Sequence, residues 1–325
     1  MAEITYRDAL TKGLKEAMDS DDRVFIMGED IGAYGGAYAV TKGFLEQYGT
    51  KRIIDTPISE SGFTGTGIGA AMAGLKPVVE MMTINFSLLA LDQIVNHAAK
   101  IRYMSAGQFT VPLIIRAVTG GGAGLAATHS QNFENWYASV PGMTVAAPAT
   151  AYDALGLLRE AFRKDDPILI AEHALLYRLK GEVPDDHYTI PFGKADIKRK
   201  GSDLTLVAYS RMVHVALEAA EILAERGIEA EVIDLRSLRP LDMETIYISA
   251  RNTGRVAVVE ETWRTGGLSA ELASQIQEEC FDYLDGPVAR VNGEDVPQPY
   301  AANLERASIP DAQKIVSTLS SVIGI

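Results

Sequence analysis

The chain has almost none of the residues that announce a chemistry by themselves. Its one cysteine, Cys280, cannot close an internal disulfide, and the acidic run Gln277-Glu278-Glu279-Cys280 disfavours a reactive thiolate. It reads as a bystander. The histidines His97, His129, His173, His187 and His214 are scattered, without the paired spacing of a zinc site. No Gly-x-Ser-x-Gly elbow marks a serine hydrolase. No apolar run approaches the roughly eighteen residues of a membrane span. The opening Ala2-Glu3-Ile4-Thr5-Tyr6-Arg7-Asp8 lacks the basic-then-apolar order of a secretory signal. The expectation is a cytoplasmic protein with no membrane contact. Positive charge is in deficit as well: 30 Lys and Arg against 43 Asp and Glu leave a formal charge of −13, which repels phosphate backbones and argues against nucleic-acid binding. Solubility explains the surplus acid adequately; a basic protein partner drawn in at long range is the second reading.

What is present is length and alternation. A chain of 325 residues exceeds one ordinary hydrophobic core, and 47% apolar residues suffice to fill two. Short β-branched runs at 24–27, 77–82, 112–118, 143–147 and 167–172 alternate with helical patterns at 5–20, 61–74, 87–105 and 150–164. A polar, turn-rich stretch containing Pro184 and Pro191 then interrupts the pattern. Alternation resumes with strands at 204–209, 231–235, 256–260 and 288–291 and helices at 212–227, 242–252 and 268–284. Such alternation predicts an α/β protein of two doubly wound domains, each with a mostly parallel sheet covered by helices. The expected division is 1–180, a linker at 181–198, and a smaller domain at 199–325.

Two glycine patterns, Gly122-x-Gly124-x-x-Ala127 and Gly65-x-Gly67-x-x-Ala70, satisfy a relaxed dinucleotide fingerprint and fail on context. The first runs into Thr128-His129-Ser130-Gln131 with no acid ending the next strand, and the second follows a polar turn rather than a strand. Gly65, Gly69 and Ala73 recur every four positions and form a smooth helical stripe. Glycine in a helix costs up to about 1 kcal/mol against alanine, so a close helix-to-helix approach between subunits explains the run better than packing inside one domain. Glu60 ends Asp55-Thr56-Pro57-Ile58-Ser59-Glu60, where the plain reading is a helix-start acid that satisfies free amides. His129 follows a Gly/Ala-rich loop, a place where binding groups are held, although an isolated histidine is more often structural.

Taken together and in order, several segments resemble the β subunit of pyruvate dehydrogenase. They are Gly28-Glu29-Asp30, Gly35-Gly36-Ala37-Tyr38, Arg52-Ile53-Ile54-Asp55-Thr56-Pro57-Ile58-Ser59-Glu60, Met82-Thr83-Ile84-Asn85-Phe86-Ser87 and His129-Ser130-Gln131. The likeness continues through Leu235-Arg236-Ser237-Leu238-Arg239-Pro240-Leu241-Asp242, Val259-Glu260-Glu261 and Asp295-Val296-Pro297-Gln298-Pro299-Tyr300, and so covers essentially the whole chain. The resemblance implies a thiamine pyrimidine-binding domain followed by a transketolase C-terminal-like domain, in an α2β2 heterotetramer. It implies thiamine diphosphate as cofactor. The family's α chain holds the diphosphate and magnesium through a Gly-Asp-Gly motif, which this sequence lacks.

Residue by residue, Glu60 matches the glutamate that hydrogen-bonds N1′ of the aminopyrimidine and favours the imino form that activates the thiazolium. His129 matches the histidine that positions substrate or lipoyl and assists proton transfer. Ile58, Met82 and Phe86 match apolar residues around the aminopyrimidine. Some members bind potassium through backbone carbonyls at positions matching Leu113, Ala161, Phe162, Lys164 and Asp166; Lys164 stands where relatives often carry an acid, and a cation beside an ammonium is disfavoured. The implied activity is oxidative decarboxylation of pyruvate, a small 2-oxo acid, with the acyl unit passed to a lipoyl group on the acyltransferase core. The family's C-terminal domain docks the basic peripheral binding domain of that core. Two other readings stand beside it: the β chain of a branched-chain 2-oxo acid or acetoin dehydrogenase, and a docking subunit that has lost the chemistry.

Overall fold

The computed structural model describes residues 1–322 and 324, so positions 323 and 325 of the expected second domain lie outside the described residues. Fourteen strands are described: β1 Ala2–Thr5, β2 Val24–Gly28, β3 Ile53–Asp55, β4 Lys76–Met81, β5 Ile114–Thr119, β6 Thr144–Ala146, β7 Ile168–His173, β8 Lys180–Val183, β9 Asp196–Arg199, β10 Leu204–Ala208, β11 Ala230–Asp234, β12 Ser237–Arg239, β13 Val256–Trp263 and β14 Ala289–Gly293. A seven-stranded sheet runs in the order β12-β6-β7-β5-β4-β2-β3 and a five-stranded sheet in the order β14-β13-β10-β11-β9. Every residue of β2, β5, β7 and β10 is buried. Unbroken apolar runs such as Val24-Phe25-Ile26-Met27 are what strands covered on both faces require. Within each large sheet the pairings are parallel except at one edge, where β12 pairs antiparallel with β6 and β9 with β11. The expected pair of mostly parallel, helix-covered sheets is what forms.

The helices obey local rules where those rules are strong. Tyr6–Ser20 opens on a capping box, with the Thr5 hydroxyl accepting from the Asp8 amide and the Asp8 carboxylate accepting from the Thr5 amide. It packs on Ala151–Ala161, and a Cβ at Gly13 would come within 2.9 Å of Leu158 Cδ2, so glycine permits that close approach.

The single helix expected at 87–105 is instead three pieces: a 3-10 turn Phe86–Ala90, a π turn Gln93–Ala98 and a short α-helix Ile101–Met104. The periodicity is helical throughout, but tertiary hydrogen bonds break the ladder. The Ser87 hydroxyl is buried between Ile84 O, to which it donates at 2.6 Å, and the Tyr137 hydroxyl at 2.7 Å. The Ala99 amide reaches back five residues to Ile94 O.

The polar stretch after residue 179 also carries unexpected structure. β8 forms a two-stranded ribbon with β1, and β9 edges the second sheet. β12, beyond that stretch, joins the edge of the first sheet. One hydrophobic core joins Val79, Ile115 and Leu169 of the first sheet to Val207, Val258, Leu272 and Cys280 of the second part. Cys280 is fully buried there and its thiol is pushed up by burial, as suits a bystander.

Candidate functional site

Neighbouring parallel strands β3, β2, β4 and β5 share one carboxyl edge, and the chemistry-bearing residues follow their ends. Glu29 follows β2, Glu60 follows β3, Met82 and Phe86 follow β4, and His129 sits in the loop that leaves β5. The crevice outside the carboxyl ends of such strands is where open α/β sheets hold ligands.

Glu60 is the first residue of the helix Glu60–Met72 and is only 4% exposed. Its carboxylate accepts no backbone amide of the helix start that its position suggests, and the acid beside it is Glu29. Burial pushes the Glu29 carboxyl up, and the adjacent charges of Glu60 and Asp30 push it further. One Glu29 carboxyl oxygen is buried without a partner. Two acids thus face each other with too few donors, a costly arrangement inside a folded chain.

Met82 and Phe86 are half-buried, and the Phe86 ring stands edge-on to His129 with centroids 5.1 Å apart. His129 is exposed, with Nδ1 2.9 Å from the Thr128 hydroxyl and Nε2 without a hydrogen-bond partner among the described residues. Ile58 is 84% exposed and lines nothing within this chain. The fold therefore collects Glu60, Met82, Phe86 and His129 along one edge and leaves Ile58 as an uncovered apolar side chain.

The five carbonyl positions of the potassium set lie elsewhere. Leu113 precedes β5, and Ala161, Phe162, Lys164 and Asp166 precede β7, at the amino edge of the same sheet. Three of those carbonyls already accept hydrogen bonds: Leu113 O from the Ile168 amide at 2.9 Å, Ala161 O from the Lys164 amide at 3.1 Å, and Phe162 O from Lys76 Nζ at 3.1 Å. The Lys164 and Asp166 side chains pair with Glu160 and Arg102. No group of His, Cys, Asp and Glu able to hold a metal ion occurs among the described residues.

Sequence reasoning missed three acids around the site. Glu134 is buried against the Thr119 hydroxyl and the Asn132 amide, and its carboxyl is pushed up by burial. Glu261 and Glu305 reach the root of the His129 loop from the far part of the chain. The signal that could have found them is the run Gly120-Gly121-Gly122-Ala123-Gly124, whose free amides call for an anion. Buried salt bridging also supports the sheet from within. Arg116 on β5 donates from Nε and Nη2 to Glu172 on β7 at 2.7 Å each, and from Nη1 to Glu80 on β4 at 2.5 Å.

Comparison with known proteins agrees with this fold. Residues 2–180 match the transketolase pyrimidine binding domain and residues 193–315 match the transketolase C-terminal domain. A solved structure described as split gene transketolase, inactive beta4 tetramer, superposes with a TM-score of 0.80 at 25% identity over 98% of each chain. The fold and the matched domains define a transketolase-like α/β protein. Among curated relatives, the pyruvate dehydrogenase E1 component subunit beta-1, mitochondrial, of Arabidopsis thaliana is 54% identical over 97% of this chain and 88% of its own length. The pyruvate dehydrogenase E1 component subunit beta of Rickettsia felis is 47% identical over 98% of both. The chain belongs to the pyruvate dehydrogenase E1 component β-subunit family.

The expectation of a cytoplasmic protein is corrected by the same relatives. Those of Arabidopsis thaliana, Pisum sativum and Dictyostelium discoideum are named as mitochondrial proteins. An address segment is separable from the residues that build the fold, so the absence of a secretory pattern does not identify the compartment.

Proposed function

We propose that this chain is the β subunit of a pyruvate-decarboxylating 2-oxo acid dehydrogenase, that it is active only with an α subunit, and that Glu60 is its cofactor-activating acid. The observation that carries the reading is Glu60 itself: a carboxyl 4% exposed at the carboxyl edge of the sheet, with an acid rather than a donor beside it. Such a group suits a protonated ring nitrogen supplied from outside the chain, and N1′ of an aminopyrimidine is one. When bound, thiamine diphosphate supplies the electron sink that lets a 2-oxo acid lose carbon dioxide. Glu60 would hold the proton at N1′, Met82 and Phe86 would exclude water from that contact, and His129 would exchange a proton through Nε2 while positioning substrate or a lipoyl acceptor. Water exclusion matters because an ionic hydrogen bond strengthens as the local dielectric falls.

The partner follows from what this chain lacks. With no Gly-Asp-Gly motif, the diphosphate and its magnesium fall to α. The exposed Ile58, and the outward stripe in which Gly69 meets nothing within 4 Å and Ala73 is exposed, suit a face covered in an α2β2 assembly. The proposed division is a pyrimidine-binding domain at 1–180, a connecting stretch at 181–198 and a transketolase C-terminal-like domain at 199–325, the last docking the peripheral binding domain of the acyltransferase core. Potassium is left out, since Lys76 already occupies the Phe162 carbonyl.

The test is co-expression with a candidate α subunit and assay of thiamine-diphosphate-dependent decarboxylation of pyruvate and of 3-methyl-2-oxobutanoate. Pyruvate turnover supports the proposal. Turnover of the branched substrate alone reassigns it, and turnover of neither sinks it.

A further inference from the structure

The loop that leaves β5 holds an anion from its own chain. Gly120, Gly122 and Gly124 all have positive φ, at 90°, 91° and 70°, a backbone that turns successive amides toward one side. The concavity is filled by the carboxylate of Glu305, in the helix Ala302–Ser308, which accepts from the Gly122 amide at 2.9 Å and from the Gly124 amide at 3.1 and 3.2 Å. The intervening part of the loop is fixed by Glu261 on β13. Its Oε1 accepts from the Gly121 amide at 2.6 Å, and its Oε2 is 2.9 Å from His173 Nε2. The Leu175 amide donates to His173 Nδ1, so the ring proton lies on Nε2 and is given to Glu261.

Glycine is needed for the approach: a Cβ at Gly120 would lie 2.1 Å from His173 Nε2, and one at Gly121 would lie 2.9 Å from Ile309 Cδ1. Glu305 and Glu261 are 3% and 6% exposed. Glu305 makes no ion pair among the described residues, so its burial is offset mainly by neutral amides. Apolar packing would tie the two parts of the chain together at less cost. What the carboxylate adds is direction, because it fixes two named amides, those of Gly122 and Gly124, in a loop whose glycines leave it conformationally free. His129 lies five positions beyond Gly124 on the same loop, after the left-handed Ala126 at φ 63°, whose carbonyl accepts from the His129 amide.

We propose that Glu305, with Glu261 behind it, is a positioning residue for His129: the C-terminal part loads the glycine nest with a carboxylate and thereby sets where His129 stands at the reacting edge. The proposal rests on the role given to His129 under Proposed function, and its test includes readouts that do not need turnover. In the αβ assembly, Glu305→Ala empties the nest. Exchange of the Gly122 and Gly124 amides should quicken, and His129 should react faster with diethyl pyrocarbonate as its contacts with Thr128 and Phe86 loosen. Added formate, a carboxylate small enough for the vacated space, should reverse both and leave the wild type unchanged.

In turnover, kcat should fall about tenfold to a hundredfold, the scale of a small misplacement of a reacting group, with the KM for pyruvate unchanged and kcat restored by formate. Glu305→Gln, which keeps an acceptor oxygen and the side-chain volume, should lose much less and gain nothing from formate; it also serves if the alanine variant fails to fold. Unchanged amide exchange, or altered exchange with unaltered His129 reactivity, overturns the proposal. Wild-type protein that turns over neither 2-oxo acid overturns the functional reading instead, and the exchange and modification arms still decide whether Glu305 positions the loop.

Discussion

Two sets of acids, one in each part of the chain, are treated in opposite ways. At the carboxyl edge of β2 and β3, Glu29 and Glu60 face each other with one oxygen left wholly unpartnered. In the second part, Glu260 accepts from the amides of Leu268 and Ser269, from Asn292 and from Tyr209, while Glu261 and Glu305 share the amides of the glycine loop. Glu29 is only partly buried, but Glu60 is as buried as Glu260, Glu261 and Glu305, so burial alone does not separate the sets. The number of donors does. A satisfied acid is part of the scaffold, and an unsatisfied one that a fold tolerates is waiting for something the chain does not contain.

The sharpest way to break that contrast is to remove the charge from each side. Glu60→Gln should lower thiamine-diphosphate-dependent decarboxylation by about 10²- to 10⁴-fold, the usual worth of a positioned proton-transfer group, and should leave assembly with α unchanged and Tm no lower, since it relieves the repulsion on Glu29. An assembly that keeps full activity would favour the docking-subunit reading. For satisfied acids inside the first sheet the effect should appear as stability. Arg116→Met strands Glu80 and Glu172 in the sheet and should cost roughly 3–5 kcal/mol in urea unfolding, because it removes one member of a buried, hydrogen-bonded charge network.

The pH dependence of stability should carry opposite signs at Glu29 and at Glu261. Glu29 is pushed above the ordinary carboxylate range, so between that range and its raised value the folded chain keeps a proton that the unfolded chain has released. Its contribution therefore falls as pH rises through the window. Burial alone would raise Glu261 too, but His173, Arg211 and the Gly121 amide outweigh it and hold the group low. Its stabilisation is present above the ordinary carboxylate range and is lost as pH falls toward the lowered value. Glu29→Gln should flatten the decline of Tm on the neutral side. Glu261→Gln should cost roughly 1.5–3 kcal/mol at pH 7 and flatten the loss on the acid side. Thermal melts from pH 4 to 8 read both, and slopes of the same sign would remove the distinction.

The same contrast explains how much could be seen in the sequence. Central strands such as β2 and β5 were legible because an apolar run needs no partner to declare itself, and the helix after Ser59 was legible from its spacing. β8, β9 and β12 were not, since short polar strands are defined by partners far along the chain, as when Lys180 pairs with Thr5. The break in 87–105 was hidden because Ser87 is held by Tyr137, fifty residues on. Glu60 came from resemblance, its local pattern being that of an ordinary helix start. Glu305 was missed although the glycine run is plain, because the Gly122 amide it accepts from lies 183 residues away.

The smallest expected effect concerns a third site where donors have already been supplied. Lys76 Nζ donates to Phe162 O at 3.1 Å and stands 3.5 Å from Asp21, and the carbonyls of Leu113 and Ala161 are bonded to amides. A potassium ion entering there would have to displace an ammonium or sit beside it, and like charges at that range repel even with partial screening. Exchange of potassium for sodium or choline at constant ionic strength should therefore leave kcat within about twofold and Tm unmoved. A bound ion at a hundred times its dissociation constant would add about 2.7 kcal/mol, too large a shift to miss. Lys76→Met frees the Phe162 carbonyl and removes the competing charge, so a potassium-specific rise in Tm should appear in that variant alone. A potassium-specific rise in the wild type would show that Lys76 does not fill the site.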